Sequence, residues 1–240
     1  MRINLLSKGL LALMFISVIS LVSSCTGEEG AEPAIIDIPR DGLVAFYPFN
    51  GNANDESNVG EAANLDEVGG SPQLTTDRFG NANSAYSFDG VNDYLRVQDL
   101  EKLNFQNGFT FAVWAKSDNL SGVVLDTHAG WVQYINNYVA GYVNTSPTFT
   151  SYVDETKHGD WKFICFSFDA STKKTNLYVN SSLVKTETVP QENALYPVRL
   201  NDRIDIGTDS FNGLIDDVVI YNKALTSSAI EQIYIQNITK

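Results

Sequence analysis

The sequence predicts an all-β protein in which two antiparallel sheets pack as a sandwich and a short helix closes the chain. Short runs of β-branched and aromatic residues recur at near-regular spacing, with Gly- and Asn-rich turns between them, which is the pattern of a sandwich. The longest such run, 211–221, is apolar on both faces and is therefore expected to be covered on both sides. About 200 residues follow the N-terminal segment, enough for one sizeable β domain.

The first 24 residues are predicted to be a signal peptide rather than part of the fold. Two basic residues precede an apolar run over 10–22, which is too short to span a bilayer comfortably. The string Val-Ser-Ser-Cys then ends at Cys25 and resembles the lipobox of bacterial lipoproteins. The resemblance implies that Cys25 carries acyl chains such as palmitate and holds the protein on a membrane by lipid alone. An ordinary signal peptide with an incidental cysteine is the alternative.

Residues 25–40 are predicted to form an acidic tether, because they contain Gly, Pro and acids but no hydrophobic period. Thr26 stands where lipoproteins retained at the inner membrane carry Asp, and 26–29 resembles the acidic tag of Gram-negative surface lipoproteins. We therefore expect an outer-membrane lipoprotein exposed at the cell surface. The folded domain is predicted over 41–240.

The charge balance restricts the partners of the chain. It carries 29 acidic against 16 basic residues, a net charge of −13, which argues against nucleic acid and against anionic membrane surfaces. The excess is compatible with calcium and with neutral glycans, although solubility alone also explains it. With Cys25 lipidated, Cys165 has no partner for an intramolecular disulfide, so stability must come from the core.

The folded part begins with a strand over 42–49, followed by a polar turn over 50–58 and a long surface loop over 59–79. A hairpin over 86–97 comes next. The segment 109–116 alternates, so its Phe and Val side chains share one face and Trp114 lies on the other. Four short strands are then predicted in the aromatic-rich middle of the chain: 123–126, 131–135, 138–144 and 148–152.

The closing strand carries two adjacent acids, Asp216 and Asp217, which alternation places on opposite faces. A buried carboxylate needs a cation, a metal or several N–H donors to remain charged. Either these acids cap neighbouring turns, or one of them holds a calcium ion. Thr226 then fits an N-cap, because apolar residues follow it at helical spacing.

The segment Gly213–Thr226 reads Gly-x-Ile-Asp-Asp-Val-x-Ile-Tyr-Asn-x-Ala-Leu-Thr, and a short amphipathic helix follows it. This pattern, together with those at 86–97 and 109–116, resembles laminin-G-like, concanavalin A-like jelly-roll domains of bacterial surface proteins. The resemblance extends from about 42 to 235 and implies a two-sheet jelly roll with Trp114 in a core. The Trp-His-His-Val string usual in the family is here Trp-Lys-Phe-Ile from Trp161, a departure that affects packing only.

A structural calcium site is predicted from two oxygen-rich segments. The turn over 50–58 offers Asn50, Asn52 and Asp55, and the closing strand offers Asp216, which is the acid that the family motif keeps. Calcium prefers six to eight oxygen ligands. The family commonly places its first and last strands side by side, which would bring the two segments together. The alternative is that Asp216 is a hydrogen-bonded structural carboxylate.

Catalysis is not predicted, although glucanases share this fold. Glycosidases need two carboxylates at a defined separation, and the Glu-x-Asp-x-x-Glu string of laminarinase-type relatives is absent. Acids that are adjacent on a strand, such as Asp216 and Asp217, face opposite ways and cannot act on one bond. The two histidines, His128 and His158, lie near turn residues and are expected at the surface.

Binding is the favoured function, because sugars stack on exposed aromatic rings and the middle of the chain is rich in them. The predicted ligand contacts are Trp131, Tyr134, Tyr138 and Asn144. Since Trp131 and Tyr134 lie on opposite faces of one strand, at most one of them can point into a core on the same side of the sheet. The sequence thus predicts a non-catalytic surface module for a glycan or glycoprotein. The alternatives are a glycoside hydrolase of the same fold and a structural subunit that makes only protein contacts.

Overall fold

Two antiparallel sheets face each other in a computed structural model of the chain, as the sequence predicts. The structure describes residues 38–154, 159–195 and 202–236. The predicted signal peptide, Cys25, most of the tether and His158 lie outside the described residues. The elements in chain order are β1 Leu43–Tyr47, β2 Asp66–Val68, β3 Gln73–Thr75, β4 Ala85–Asp89, β5 Tyr94–Leu100, β6 Gly108–Ser117, β7 Gly122–Asp126, β8 Gly130–Ile135, β9 Tyr138–Val143, β10 Thr145–Ser146, β11 Phe149–Asp154, β12 Lys162–Asp169, β13 Lys174–Val179, β14 Ser182–Thr188, β15 Ala194–Leu195, β16 Asp202–Thr208, β17 Asn212–Tyr221 and α1 Ser227–Gln236.

Within these ranges, eight strands form one sheet, in the order β14-β13-β12-β6-β17-β4-β3, with β1 paired to β17. Seven strands form the other, in the order β11-β9-β8-β7-β16-β5-β2, and β10 pairs with β15 separately. The first and last strands are therefore neighbours, as the family resemblance implied. The four strands predicted in the middle of the chain correspond to β7, β8, β9 and β11. No helix in the described part of the chain is long and apolar enough to cross a membrane.

The main core lies between the two sheets, and the alternation of β6 explains it. Phe109, Phe111 and Val113 point into this core, where Phe109 and Phe111 lie beside Phe166 of β12. Burial of such side chains supplies the main favourable term in folding, about 25 cal/mol per Å² of apolar area. A Phe ring removed from this layer would therefore leave a cavity that the rigid neighbouring strands cannot fill.

A second apolar cluster covers the outer face of the eight-stranded sheet. Ile230 and Ile233 of α1 pack there, and the ring of Tyr234 stacks on Trp114 with ring centroids 5.5 Å apart. Thr226 caps this helix by accepting a hydrogen bond from the Ala229 N–H at 3.3 Å. Within the described residues, no element forms such a cluster on the outer face of the seven-stranded sheet.

Three local expectations were wrong. The two strands predicted as a hairpin over 86–97 are β4 and β5, which lie in different sheets and do not pair with each other. The segment predicted as a loop over 59–79 contains the short edge strands β2 and β3. In β17, simple alternation places Ile215 and Val218 on opposite faces, yet both side chains lie in the core between the sheets. A β-bulge interrupts the pairing of β17 with β6 between Asp216 and Val219, and Asp217 has a φ of 46°. A bulge adds one residue to the strand and so resets which face the later side chains occupy.

Candidate functional site

The outer face of the seven-stranded sheet carries a continuous row of polar and aromatic residues, one on each strand. Each member lies directly opposite the next across a strand pair, and strands lie about 4.8 Å apart. The row crosses the whole sheet from β2 to β11 and consists of Asp66, Arg96, Asp205, Asp126, Trp131, Tyr142 and Thr150.

One part of the row is an aromatic cluster formed by Trp131, Gln133 and Tyr142. The two rings lie parallel, with centroids 4.5 Å apart and planes 7° apart. The indole N–H of Trp131 donates to Gln133 Oε1 at 3.1 Å, and Gln133 Nε2 donates to the Tyr142 hydroxyl at 2.8 Å. These bonds fix both rings before any ligand arrives. Because Tyr142 lies on β9 and β7 is the other neighbour of β8, the opposite face of the Trp131 ring is on the β7 side.

Further aromatic rings extend this surface to the edge of the sheet. The rings of Tyr138 and Tyr152 meet edge to face with centroids 5.1 Å apart. The exposed fraction is 37% for Tyr138 and 53% for Tyr152. Ile135, opposite Tyr138 in β8, is also exposed. An exposed apolar group of this kind is typical of ligand or partner surfaces.

In the other part of the row, Arg96, Asp205 and Asp126 form a charged cluster with two residues beside the row, Arg203 and His128. Arg96 binds both oxygens of the buried Asp205, at 2.5 and 2.7 Å. Arg203 contacts Asp205 at 2.8 Å and Asp126 at 2.6 Å, and its Nη1 lies 3.4 Å from Nε2 of His128. One guanidinium thus holds two carboxylates from neighbouring strands.

The two carboxylates differ in their electrostatic surroundings. Burial raises the pKa of Asp126 to about 6, and the charge of Asp205 acts in the same direction, although the contact with Arg203 opposes the shift. The hydrogen bond to Asp205 raises the pKa of Arg96, so this guanidinium remains charged. The carboxyl group of Asp126 therefore changes charge in mildly acidic solution.

A cleft of about 480 Å³ opens over the charged cluster, between the turn at 91–93 and the turn at 208–210. Tyr94, Arg96, Asp126 and Arg203 are among the residues that line it. This volume lies in the range of small-molecule sites. Because Asp126 and Trp131 are opposed across β7 and β8, the cleft lies beside the aromatic cluster.

Comparisons with known proteins agree with this architecture. The family model Laminin_G_3, described as the concanavalin A-like lectin/glucanases superfamily, matches residues 89–231, which is more than half of the chain. The chain belongs to this superfamily. A comparison with curated protein sequences finds no match.

Solved structures show the same fold at low identity. The receptor-binding domain of a botulinum neurotoxin C/D mosaic serotype matches 84% of this chain at 16% identity, with a TM-score of 0.67. The ligand-binding domain of serotype D in complex with N-acetylneuraminic acid matches 83% at 17% identity, with a TM-score of 0.67. The chain spans about half (52%) of each toxin domain. Domain 4 of AbnA, a GH43 extracellular arabinanase from Geobacillus stearothermophilus in complex with arabinotriose, matches 81% at 20% identity (TM-score 0.63), with 98% of that domain covered.

The four residues that the sequence predicts as ligand contacts do not all lie at the candidate site. Trp131 and Tyr138 lie on the outer face. Tyr134 points inward, is 2% exposed and packs against Phe211, which corrects the prediction that it contacts a ligand. Asn144 is half-buried at the end of β9, where its amide donates to the His128 carbonyl at 2.8 Å and so positions the His128 loop.

Sequence reasoning missed the charged cluster, because its members come from distant strands. Asp126 and Asp205 are 79 positions apart and meet only through the β7–β16 pairing. A local signal was present: Arg203 and Asp205 alternate with buried Ile204 and Ile206, so the two charges share the face opposite the core. That pattern identifies an outward pair, but not its partner on β7.

The structure also brings together a carboxylate pair that no local string indicated. Asp126 and Asp205 are opposed across two strands, and both contact Arg203. Asp205 is 1% exposed and both of its oxygens are bonded to Arg96. An attacking carboxylate needs an accessible oxygen, so this arrangement suits a structural or binding role better than glycoside hydrolysis.

The four predicted calcium ligands do not fit a common metal site. Asp216 binds Arg78 at 2.5 Å, and Asp55 binds Lys102 at 2.5 Å. Asn52 accepts a bond from the Asn54 N–H at 2.8 Å, and the Asn50 carbonyl accepts one from Asn52 Nδ2 at 3.3 Å, so both serve a local turn. Among the residues that the structure describes, no group of three or more His, Cys, Asp or Glu could hold a metal.

Proposed function

We propose that this protein is a non-catalytic binding module whose ligand is a glycan or a glycosylated partner, bound on the outer face of the seven-stranded sheet. The observation that carries the proposal is the aromatic cluster of Trp131, Gln133 and Tyr142, fixed by its own hydrogen bonds beside a polar cleft. Because these side chains are already ordered, binding costs them little conformational entropy.

The two parts of the row match the two surfaces of a sugar. A pyranose ring has an apolar face of C–H groups, which stacks on aromatic rings, and an edge of hydroxyls, which needs directional donors and acceptors. The second ring face of Trp131 offers the first contact. Asp126 and Arg203, on the adjacent strands, offer the second.

Similar structures support a carbohydrate ligand. One toxin binding domain was solved with N-acetylneuraminic acid and the arabinanase domain with arabinotriose. The arabinanase domain is covered almost completely by this chain, whereas only half of the toxin domain is. The comparison therefore supports a single sugar-binding module more than the receptor recognition of a whole toxin domain.

A glycan array with the purified protein tests the proposal. We expect binding to at least one glycan family and a loss of about tenfold or more in affinity for Trp131→Ala, since buried Trp contacts often cost 2 kcal/mol or more when truncated. Leu183→Ala is the control, because Leu183 is 50% exposed on β14 of the other sheet. Absence of any bound glycan, or equal binding by Trp131→Ala, would contradict the proposal.

An enzyme of this fold would have to use the opposed pair Asp126 and Asp205. We expect no release of reducing sugar from β-glucans. Release that disappears in both Asp126→Asn and Asp205→Asn would establish hydrolysis instead. A protein that binds no glycan but copurifies stoichiometrically with another polypeptide would be a structural subunit.

We also propose that the module is anchored at the outer membrane and exposed at the cell surface through an acylated Cys25, on the basis of the lipobox-like string and the acidic residues after it. Cys25→Ala should move the protein from the membrane fraction to the soluble fraction. Protease added to intact cells should digest the wild-type protein. A Cys25→Ala protein that still sediments with membranes would refute the lipid anchor.

A further inference from the structure

The cleft over the charged cluster has an uneven charge. Its lining includes four carboxylates, of Asp93, Asp126, Asp205 and Asp209, but only two guanidinium groups. Both guanidinium groups already contact carboxylates: Arg96 binds Asp205, and Arg203 contacts Asp205 and Asp126. The cleft therefore has a formal excess of negative charge, and its cations are committed to internal pairs.

An acidic sugar would fit this cleft poorly. Its carboxylate or sulfate would lie close to the carboxylates of Asp126 and Asp205, and the charge of Arg203 is already balanced by these two groups, so the anion would meet net repulsion. Uncharged hydroxyls avoid this cost, because they can donate to Asp126, whose side chain is 21% exposed, and accept from Arg203, which is 32% exposed. The net charge of −13 adds long-range repulsion of polyanions.

We propose, resting on the glycan-binding function above, that the cleft selects uncharged glycans and that Asp126 is a residue that excludes uronic, sialic and sulfated sugars. Asp126 is suited to this role because it lies between Trp131 on one side and Asp205 on the other. A sugar stacked on Trp131 must place its substituents close to this carboxylate.

The test uses matched polysaccharides: polygalacturonan and other uronic-acid polymers, each before and after chemical reduction of the carboxylates to neutral hydroxymethyl groups. We expect the wild-type protein to bind neutral forms at least tenfold more tightly than their acidic parents, and Asp126→Asn to narrow that ratio. Asp118→Asn, at an exposed position in the turn after β6, is the control.

The outcomes separate the two proposals. Equal or tighter binding of the acidic forms would overturn the selectivity while leaving glycan binding intact. If a broad glycan array is also negative, the proposed function itself fails. A wild-type preference for neutral forms that Asp126→Asn leaves unchanged would overturn the role of Asp126.

A second inference rests on a different part of the molecule, the bulge of β17. Arg78 Nη1 binds Asp216 Oδ2 at 2.5 Å, and Arg78 Nη2 contacts Asp217 Oδ2 at 2.7 Å. The Arg78 side chain is 5% exposed and both Asp side chains are 0% exposed. The guanidinium carbon lies 4.4 Å from the ring centroid of Trp114 and 4.3 Å from that of Phe79. The bulge is what lets two adjacent acids reach one cation.

The second oxygen-rich segment is organised in the same way. Lys102 binds Asp55 Oδ2, and the backbone N–H groups of Phe46, Ser57 and Ala63 donate to the same carboxylate at 2.9–3.1 Å. Burial alone would raise the pKa of Asp55, but the hydrogen bonds from Lys102 and from Ser57 lower it. This carboxylate remains charged without a metal.

We infer that Arg78 and Lys102 are built-in cations that take the place of structural calcium, so the module folds and binds independently of metal. Arg78 ties the 76–84 loop to β17 and, through Trp114 and Tyr234, to α1. Lys102 ties the turn over 50–58 to the segment after β5.

The melting temperature of the purified protein should be the same, within about 1 °C, in chelator and in millimolar calcium, and elemental analysis should find no stoichiometric metal. Removal of one partner from a buried ion pair is strongly destabilising, so Arg78→Met should lower the melting temperature by roughly 6–20 °C. Arg78→Lys should also lower the melting temperature, because Lys is a single point charge that cannot bridge both acids. Adding Asp217→Asn to Arg78→Lys should recover part of that loss in melting temperature, because it removes the acid that Lys leaves without a cation. A melt that falls on chelation, or Arg78→Met with the wild-type melting temperature, would overturn the inference.

Discussion

Gly141 of β9 is the position where a single methyl group should disturb the core and the binding face together. A Cβ built on Gly141 would lie 2.3 Å from Cγ and Cδ2 of Phe166 and 2.6 Å from Cε2. Ordinary carbon contacts are about 3.5–4.0 Å, so the Phe166 ring or β9 must shift by about 1 Å. Phe166 is fully buried on β12, between Phe109 and the seven-stranded sheet, so there is little room for the ring.

The cost of Gly141→Ala follows from this geometry. Overpacking of a well-packed core costs about 1–3 kcal/mol, and contact with three ring atoms places this change at the upper end, about 3 kcal/mol. For a domain of this size that corresponds to a fall in melting temperature of roughly 6–12 °C. Since Tyr142 follows Gly141 directly, displacement of β9 should also weaken the stacking on Trp131 and lower ligand affinity.

Equilibrium urea unfolding of four proteins measures the effect: wild type, Gly141→Ala, Phe166→Leu and the double variant. We expect the double variant to be more stable than the sum of the single changes by about 1 kcal/mol or more, because the smaller side chain makes room for the methyl group. The reasoning fails if Gly141→Ala unfolds within about 0.5 kcal/mol of the wild type, or if the two changes are simply additive.

Three further predictions concern single side chains. The pKa of Asp126 is raised to about 6 in the folded state, whereas the unfolded value is about 3.9. Folding therefore takes up a proton between these values, so the stability difference between wild type and Asp126→Asn in urea unfolding should shift in favour of the wild type by up to about 3 kcal/mol as pH falls from about 6 to 4. Thr226→Ala removes the cap of α1 and should cost about 1 kcal/mol in urea unfolding; no change would exclude the cap. Tyr142→Phe removes the acceptor for Gln133 and should weaken glycan binding several-fold in titrations without lowering the melting temperature by more than about 4 °C.

The sequence was sufficient to predict those parts of the fold that follow from the spacing of apolar residues along a strand or a helix. The alternation of Phe109, Phe111 and Val113 placed these side chains on one face of β6, and the run after Thr226 identified α1. Alternation also separated Trp131 from Tyr134, but it could not say which of the two faces is the core. That choice depends on what covers each sheet, and α1 covers the other one.

The buried ion pairs between Arg78 and the two acids of β17 depend on features that have no local period. The β-bulge turns the Asp217 side chain to a different face of β17 from the one that simple alternation predicts, and the local sequence does not show where the extra residue lies. Arg78 lies in a segment without strand signals, 138 positions from Asp216, so its pairing could not be read from spacing. The prediction that a buried acid requires a cation was physically sound, but the sequence alone did not show that the chain supplies its own.

The pairing of β1 with β17 has a mechanical consequence. All five residues of β1 are buried, Ile38 before it is 2% exposed, and Arg40 Nη2 donates to the Ser57 carbonyl at 2.6 Å. Tension applied through the N-terminal segment therefore enters the eight-stranded sheet, at the end of β1 that lies opposite Tyr221. The strands that carry the aromatic and charged clusters belong to the other sheet, so the force at the N-terminal attachment does not act on them directly. A ligand pulled against an N-terminal anchor would thus load the two sheets in series, with the force entering at β1 and leaving through the strands that hold the ligand.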